Sequence, residues 1–315
     1  MRIFANPNYN FIKWRWHALI ASVAIIWAGV ASMWVHGGLP LGIDFSGGTA
    51  IVLKFDQPTS EDVVRKALDP IAADKVVQKF GPPALNEIMI RLPTLPGQEA
   101  GNLDAGVTQV ITALKAANVG AFDENPVSKD LVGPVVGADL RTKGIYATLF
   151  ALGGILVYVA FRFRFTFAVG AIVATFHDIL ITLVFLSWFH YELSLNIIAA
   201  ILTITGYSVN DTIVVFDRVR ENQKKARREP LDEIVNHSVN QTLGRTIITS
   251  GCTMLAVLAL YIFGGEVLRG FAFTMLIGVI TGTYSTVFIA ASIAIILSRK
   301  PPTQMMAQQA KVKRA

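Results

Sequence analysis

The chain has 315 residues, of which 53% are hydrophobic and 16% charged, against roughly a quarter charged in ordinary soluble domains. A purely soluble globular protein is excluded. The +6 formal charge, from 28 basic and 22 acidic residues, comes with no aromatic-interleaved basic patch that would suggest nucleic acid, and the single cysteine, Cys252, excludes an internal disulfide and has no neighbours at metal-ligand spacing.

Residues 1–17, with Arg2, Lys13 and Arg15, precede the first of six blocks long and apolar enough to cross a bilayer, which takes about 20 residues. That block, 18–35, exceeds the ~7–15-residue apolar core of a signal peptide and reads as a retained helix. Residues 36–142 are the one large polar region. Near its start the run GIDFSGGT at 42–49 contains Gly42, Asp44, Gly47 and Gly48. It precedes a strand instead of opening a helix, so it reads as a conformational backbone turn, not a phosphate cradle.

Apolar alternation over 49–55, 76–80 and 87–92 predicts strands, the last two divided by Gly81-Pro82-Pro83, and a fourth strand is expected near 119–122. Ser60 before Glu61 and Asp62 predicts one helix start. Asp104, followed by Val107, Val110, Ile111 and Leu114 at helical spacing, predicts another. The order βαββαβ fits a small α+β ferredoxin-like domain. Pro93, Pro96, Gly97 and Gly101 mark 92–106 as an expected exposed loop.

The remaining spans, 144–161, 165–189, 195–216, 246–263 and 271–297, complete a polytopic α-helical membrane protein with six transmembrane helices. Its N-terminus (1–17), the 162–164 turn, a basic loop (217–245) and the tail (298–315) hold 17 basic residues, against Arg269 alone in the short turns opposite, 190–194 and 264–270. By the positive-inside rule both termini are cytoplasmic and 36–142 is extracytoplasmic.

Ionisable groups at membrane depth are costly and point to function. Asp178, preceded by His177, lies ~20 Å from the cytoplasmic end of its span, near the midplane, and Asp211 roughly 8 Å from the boundary of the next. Asp178 and His177 fit either a second proton site or a hydrogen-bonded clamp between helices. Thr203, Tyr207, Asn210 and Asp211 share one helical face, as do Arg245, Thr249, Cys252 and Thr253 in the fifth span and Thr274, Gly278, Thr281 and Ser285 in the sixth. Three such polar stripes, if facing, would line a hydrated path; the plainer alternative is that small and hydroxyl residues let the helices pack closely. Arg245 can reach inward along its carbon stem and is the expected partner of Asp211, as a structural ion pair or as part of a titrating site.

No phosphate loop of the GxxxxGK[ST] type and no GxSxG occurs, so neither P-loop hydrolysis nor a serine nucleophile elbow is expected. An aspartyl protease dyad of Asp178 and Asp211 needs carboxylates in close contact, whereas the two depths differ by roughly 12 Å. The chain is therefore not expected to be an enzyme.

Taken together, GIDFSGGT at 42–49, VGPVVG at 132–137, GYSVNDTIVVFDRVREN at 206–222 and TLGRTIITSGCT at 242–253 resemble the SecF family of bacterial protein-export membrane proteins, over essentially the whole chain. The resemblance implies kinship with the RND superfamily and a SecD partner supplying the other six helices. It implies a task at the inner membrane: using the proton-motive force to promote export of preproteins through the SecYEG translocon after SecA and ATP have begun it. YajC, YidC, the moving preprotein and membrane lipid are the further partners it suggests, with protons as coupling ion and no cofactor. By the same resemblance Asp211 matches the family's proton-site aspartate, Arg245 its arginine partner, and Asp44 its signature turn, while Cys252 stands where a hydroxyl is expected. A lone half-unit also suggests a partner by itself, since the sites of repeat-built transporters lie between repeats. The alternatives are an exporter of lipid or drugs, which needs a substrate channel in the external domain, and a passive scaffold, which needs no protons.

Overall fold

The computed structural model describes residues 7–35, 38–72, 75–92, 103–226 and 228–298. The expected loop at 92–106 and the basic tail fall mostly outside these residues. The first helix, α1 (Arg15–Val35), runs into a one-turn helix α2 (Ile43–Ser46), followed by β1 (Gly48–Lys54), α3 (Glu61–Ala67), β2 (Val76–Phe80), β3 (Glu87–Leu92), α4 (Leu103–Ala116) and β4 (Ser128–Val132). The four strands form one antiparallel sheet in the order β2-β3-β1-β4, as in a ferredoxin-like split βαβ arrangement.

Alternation gives each strand one face for the core. Ile51, Leu53, Ile88 and Ile90 pack there against Val64 and Leu68 on one helix and Val110 and Leu114 on the other. The expected fourth strand at 119–122 is corrected: there Phe122 makes only an isolated bridge to Phe55, and β4 lies six residues further on. Most of Ser128–Val132 is exposed, so the strand carries no apolar alternation to betray it, and its backbone pairing with β1 is what holds it.

The other helices are α5 (Pro134–Arg162), α6 (Phe165–Trp188), α7 (Leu195–Lys225), α8 (Leu231–Phe263), α9 (Gly265–Ser285) and, after a π-helical turn at Thr286–Ala290, α10 (Ala291–Ser298). Six helical runs are long and apolar enough to cross a membrane. α6, α7 and α9–α10 form the interior of the bundle, and α1, α5 and α8 lie at its periphery. Close approach is built in: a Cβ on Gly29 of α1 would strike Val184 of α6, one on Gly278 of α9 would strike Ile204 of α7, and one on Gly170 of α6 would meet the carbonyl of Ala290.

The helices outrun the apolar blocks. α5 begins at Pro134, ten residues before the apolar stretch, with proline at a first-turn position where no N–H is needed. The expected basic loop 217–245 is mostly helix, because α7 continues to Lys225 and α8 starts at Leu231. Ion pairs of Glu221 with Lys225 and Arg218 support that continuation in water.

Candidate functional site: a buried carboxylate pair and the joint above it

Asp178 lies in the middle of α6 and is 2% exposed. Its Oδ2 accepts hydrogen bonds from Ser208 of α7 at 2.5 Å and Ser285 of α9 at 2.8 Å, and its Oδ1 lies 3.0 Å from Nδ1 of His177. One carboxylate thus ties three interior helices together. These contacts are the hydrogen bonds of the clamp reading of Asp178 and His177.

Asp211 is one turn beyond Ser208 on α7 and is also buried. Its Oδ1 accepts from the Thr246 hydroxyl of α8 at 2.7 Å, and its Oδ2 has no partner among the described residues. The expected contact with Arg245 is corrected. Arg245 lies on the exposed side of α8 and makes no ion pair with Asp211. Adjacent residues on a helix point about 100° apart, so when Thr246 faces α7, Arg245 must face away. The two aspartates use different partners, and no hydrogen bond joins them among the described residues.

The three stripes do not face one another. Thr203 and Asn210 of α7 and Thr249 of α8 are exposed, with Tyr207 and Thr253 half-buried, whereas Thr281 and Ser285 of α9 are buried. Gly278 of that third stripe and its neighbour one turn on, Gly282, abut Ile204 and Ser208, on the other side of α7. The third stripe is therefore packing and the Asp178 clamp, while the first two form a polar membrane-level face on the outside of the chain. Sequence reasoning missed Thr246, Ser208, Ser250 and Thr283. Ser250 joins Tyr207 at 3.3 Å and Thr283 at 2.8 Å. Their one sequence signal is hydroxyl recurrence at three- and four-residue steps around the aspartates.

At the N-terminal end of α7 the 42–48 turn meets the membrane helices. Gly42 donates its N–H to Leu193 O at 2.8 Å, Leu193 returns one to Pro40 O, and Asp44 Oδ2 accepts the N–H of Leu195 at 2.9 Å. Ser194 caps the same helix through Ile197 N–H. An acidic group here meets both the orphan amides and the positive end of the helix dipole. Gly47 and Gly48 have φ of 70° and 121°, angles that L side chains resist. A Cβ on Gly137, in the first turn of α5, would come within 3.0 Å of the Gly47 nitrogen. β3 joins the same junction through an ion pair between Arg91 and Glu192, both largely buried. Burial brings the Arg91 pKa down to about 10, with Asp44 pulling the other way, so the group is charged at neutral pH.

Comparison with known proteins decides the family. The family model described as "Protein export membrane protein SecD/SecF, C-terminal" matches residues 111–300, and a second, "SecD/SecF GG Motif", matches 33–59. The chain is 43% identical to protein translocase subunit SecF of Escherichia coli O157:H7, over 93% of this chain and 88% of that one. The chain belongs to the SecF family. The SecF of Koribacter versatilis is 37% identical, over 92% of each chain. A crystal structure of SecDF, titled a translocon-associated membrane protein, from Thermus thermophilus superposes with TM-score 0.81 at 34% identity. It covers 94% of this chain, which in turn spans 39% of the SecDF chain. The GG-motif model of SecD/SecF thus falls on the joint, and the long C-terminal model on the helices that carry Asp178, Asp211 and Thr246.

Proposed function

We propose that this chain is the SecF half of a proton-driven accessory of the Sec translocon in the bacterial inner membrane. In this reading it has no enzymatic activity and no cofactor, and both termini are cytoplasmic. Asp211 carries the coupling proton. The observation behind this is its carboxylate, buried at membrane depth with one oxygen held by Thr246 and the other free to take a proton. Movement that brings Arg245 to that oxygen favours the ionised form, and movement that withdraws it favours the neutral one. Alternation between the two states moves a proton.

The exposed polar face of α7 and α8 supports a SecD partner, because Thr203, Asn210, Arg245 and Thr249 would be costly against lipid. The SecDF likeness agrees, since more than half of that longer chain lies beyond what this one covers. SecYEG, YajC and YidC enter the proposal through the family alone, as do the preprotein substrate and action after SecA and ATP have begun export. The joint of Asp44, Gly47 and Arg91 would pass helix movement to the external domain.

The test is translocation into inverted vesicles with ATP and SecA held constant, comparing an imposed proton gradient with none. Asp211→Asn should insert, bind SecD and lose the stimulation, while Asp211→Glu keeps part of it. A wild-type response from Asp211→Asn would make Asp211 structural.

A further inference from the structure

At the end of the bundle where basic residues collect, a cavity of about 750 Å³ opens between the α5–α6 turn, the end of α7 and the start of α8. Its floor is aromatic: Phe167 and Phe163 both meet the fully buried Phe216 edge-on, at centroid separations of 5.0 and 6.0 Å. Its mouth is cationic, with Arg162, Arg164, Arg220 and Lys224. Arg162 is already satisfied, because its Nη2 donates to both oxygens of Asp217 at 2.7 and 2.8 Å. The side chains of Arg164, Arg220 and Lys224 have no ion-pair or hydrogen-bond partner among the described residues. Glu229 is the one acidic side chain among the described residues lining the cavity.

Two exposed aromatic side chains stand beside it in sequence. Phe161 and Phe165, either side of the α5–α6 turn, are 90% and 79% exposed, as expected for aromatic side chains at a membrane interface. An occupant must therefore carry negative charge at the mouth and apolar groups toward the floor and the aromatic rim. The chain's own residues 299–315 cannot serve, since they include five basic and no acidic side chains.

We propose that this cavity binds the phosphate headgroup of an anionic phospholipid, with Arg164, Arg220 and Lys224 on the phosphate and the acyl chains leaving past Phe161 and Phe165. Basic pockets between membrane helices on the cytoplasmic side take such headgroups, and each Lys or Arg near an anionic surface contributes about fivefold in affinity. A headgroup held here would bridge α5, α6, α7 and α8 at the cytoplasmic end of the helix that bears Asp211.

The full-length chain, purified in detergent, would be examined by native mass spectrometry with phosphatidylglycerol, phosphatidylcholine or inorganic phosphate. Phosphatidylglycerol should be retained at least tenfold more tightly than phosphatidylcholine. The triple variant Arg164→Gln/Arg220→Gln/Lys224→Gln should lose that preference. A control with as many charges removed on the same side, Lys13→Gln/Lys225→Gln/Arg228→Gln, should keep it. If the triple variant does not unfold at the wild-type temperature, the single reversal Arg220→Glu decides instead, with at least a fivefold loss expected. An unchanged preference in the cavity variants overturns the proposal, as does equal retention of phosphatidylcholine. Displacement of the lipid by millimolar inorganic phosphate would also overturn it, by assigning the site to a free anion.

Discussion

The carboxylate of Asp44 accepts the backbone N–H of Leu195 at 2.9 Å, so a residue at the threshold of the sheet domain completes the first turn of the helix that carries Asp211. The two lie 151 positions apart in sequence. Through this contact, any shift of α7 along its axis meets the turn from which β1 departs.

Asp44→Ala removes that cap and should cost about 1 kcal/mol of local helix stability. Hydrogen exchange at the amides of 195–198 should accelerate roughly fivefold, with exchange in the middle of α7 unchanged. Unaltered exchange there would leave Asp44 without a capping role.

Arg91 and Glu192 are both mostly buried, so removing one strands the other. Glu192→Gln should weaken docking of the sheet domain by about 3 kcal/mol, the scale for an uncompensated buried charge. The exchange Arg91→Glu/Glu192→Arg should recover part of that loss. Protease sensitivity of the segment between α1 and β1 reports the result, and equal cleavage in the wild type and Glu192→Gln would count against the ion pair as an anchor.

Val at Gly47 forces a β-branched side chain into a positive-φ position, at a cost of at least 1–2 kcal/mol. A larger side chain at Gly137 pushes the start of α5 against the same backbone. Gly47→Val and Gly137→Leu should each insert and fold their sheet but impair export, measured as preprotein translocated per unit of membrane protein. Normal export by both would mean that the tight contact between the turn and α5 is dispensable.

Thr246→Val takes away the one hydroxyl bonded to Asp211 among the described residues, a hydrogen bond worth about 0.5–1.5 kcal/mol to a neutral carboxyl and about 1.5–3 kcal/mol to an ionised one. Gradient-stimulated translocation should fall tenfold or more, and Thr246→Ser, which keeps the donor, should retain most of it. If Val and Ser behave alike, Thr246 serves packing alone.

Sidedness rests on charge distribution. Single cysteines at Ser128 and Glu229, both exposed, in a Cys252→Ser background should react with an impermeant thiol reagent from opposite faces of the membrane. Reaction of both from one face would reverse the reading.

The six spans, three of the four strands and the two buried aspartates, Asp178 and Asp211, could be picked out from the chain itself, because each depends on local properties. An apolar block has a length, a strand has a period, and a carboxylate at membrane depth is costly wherever it points. β4 escaped detection because an exposed strand held by backbone pairing needs no apolar pattern. The helical extensions of α7 and α8 were hidden by their charge, although the spacing of Glu221 and Lys225 could have revealed the first. What tertiary structure alone decided was which side chain meets which. Helical periodicity places residues on a face of their own helix, but the rotation of that helix against its neighbours is set by packing, by Gly278 on Ile204 and Gly282 on Ser208. That rotation gives Asp211 to Thr246 instead of Arg245, fastens Asp178 to Ser208 and Ser285, and leaves the α7–α8 stripe on the outside, where nothing among the described residues covers it.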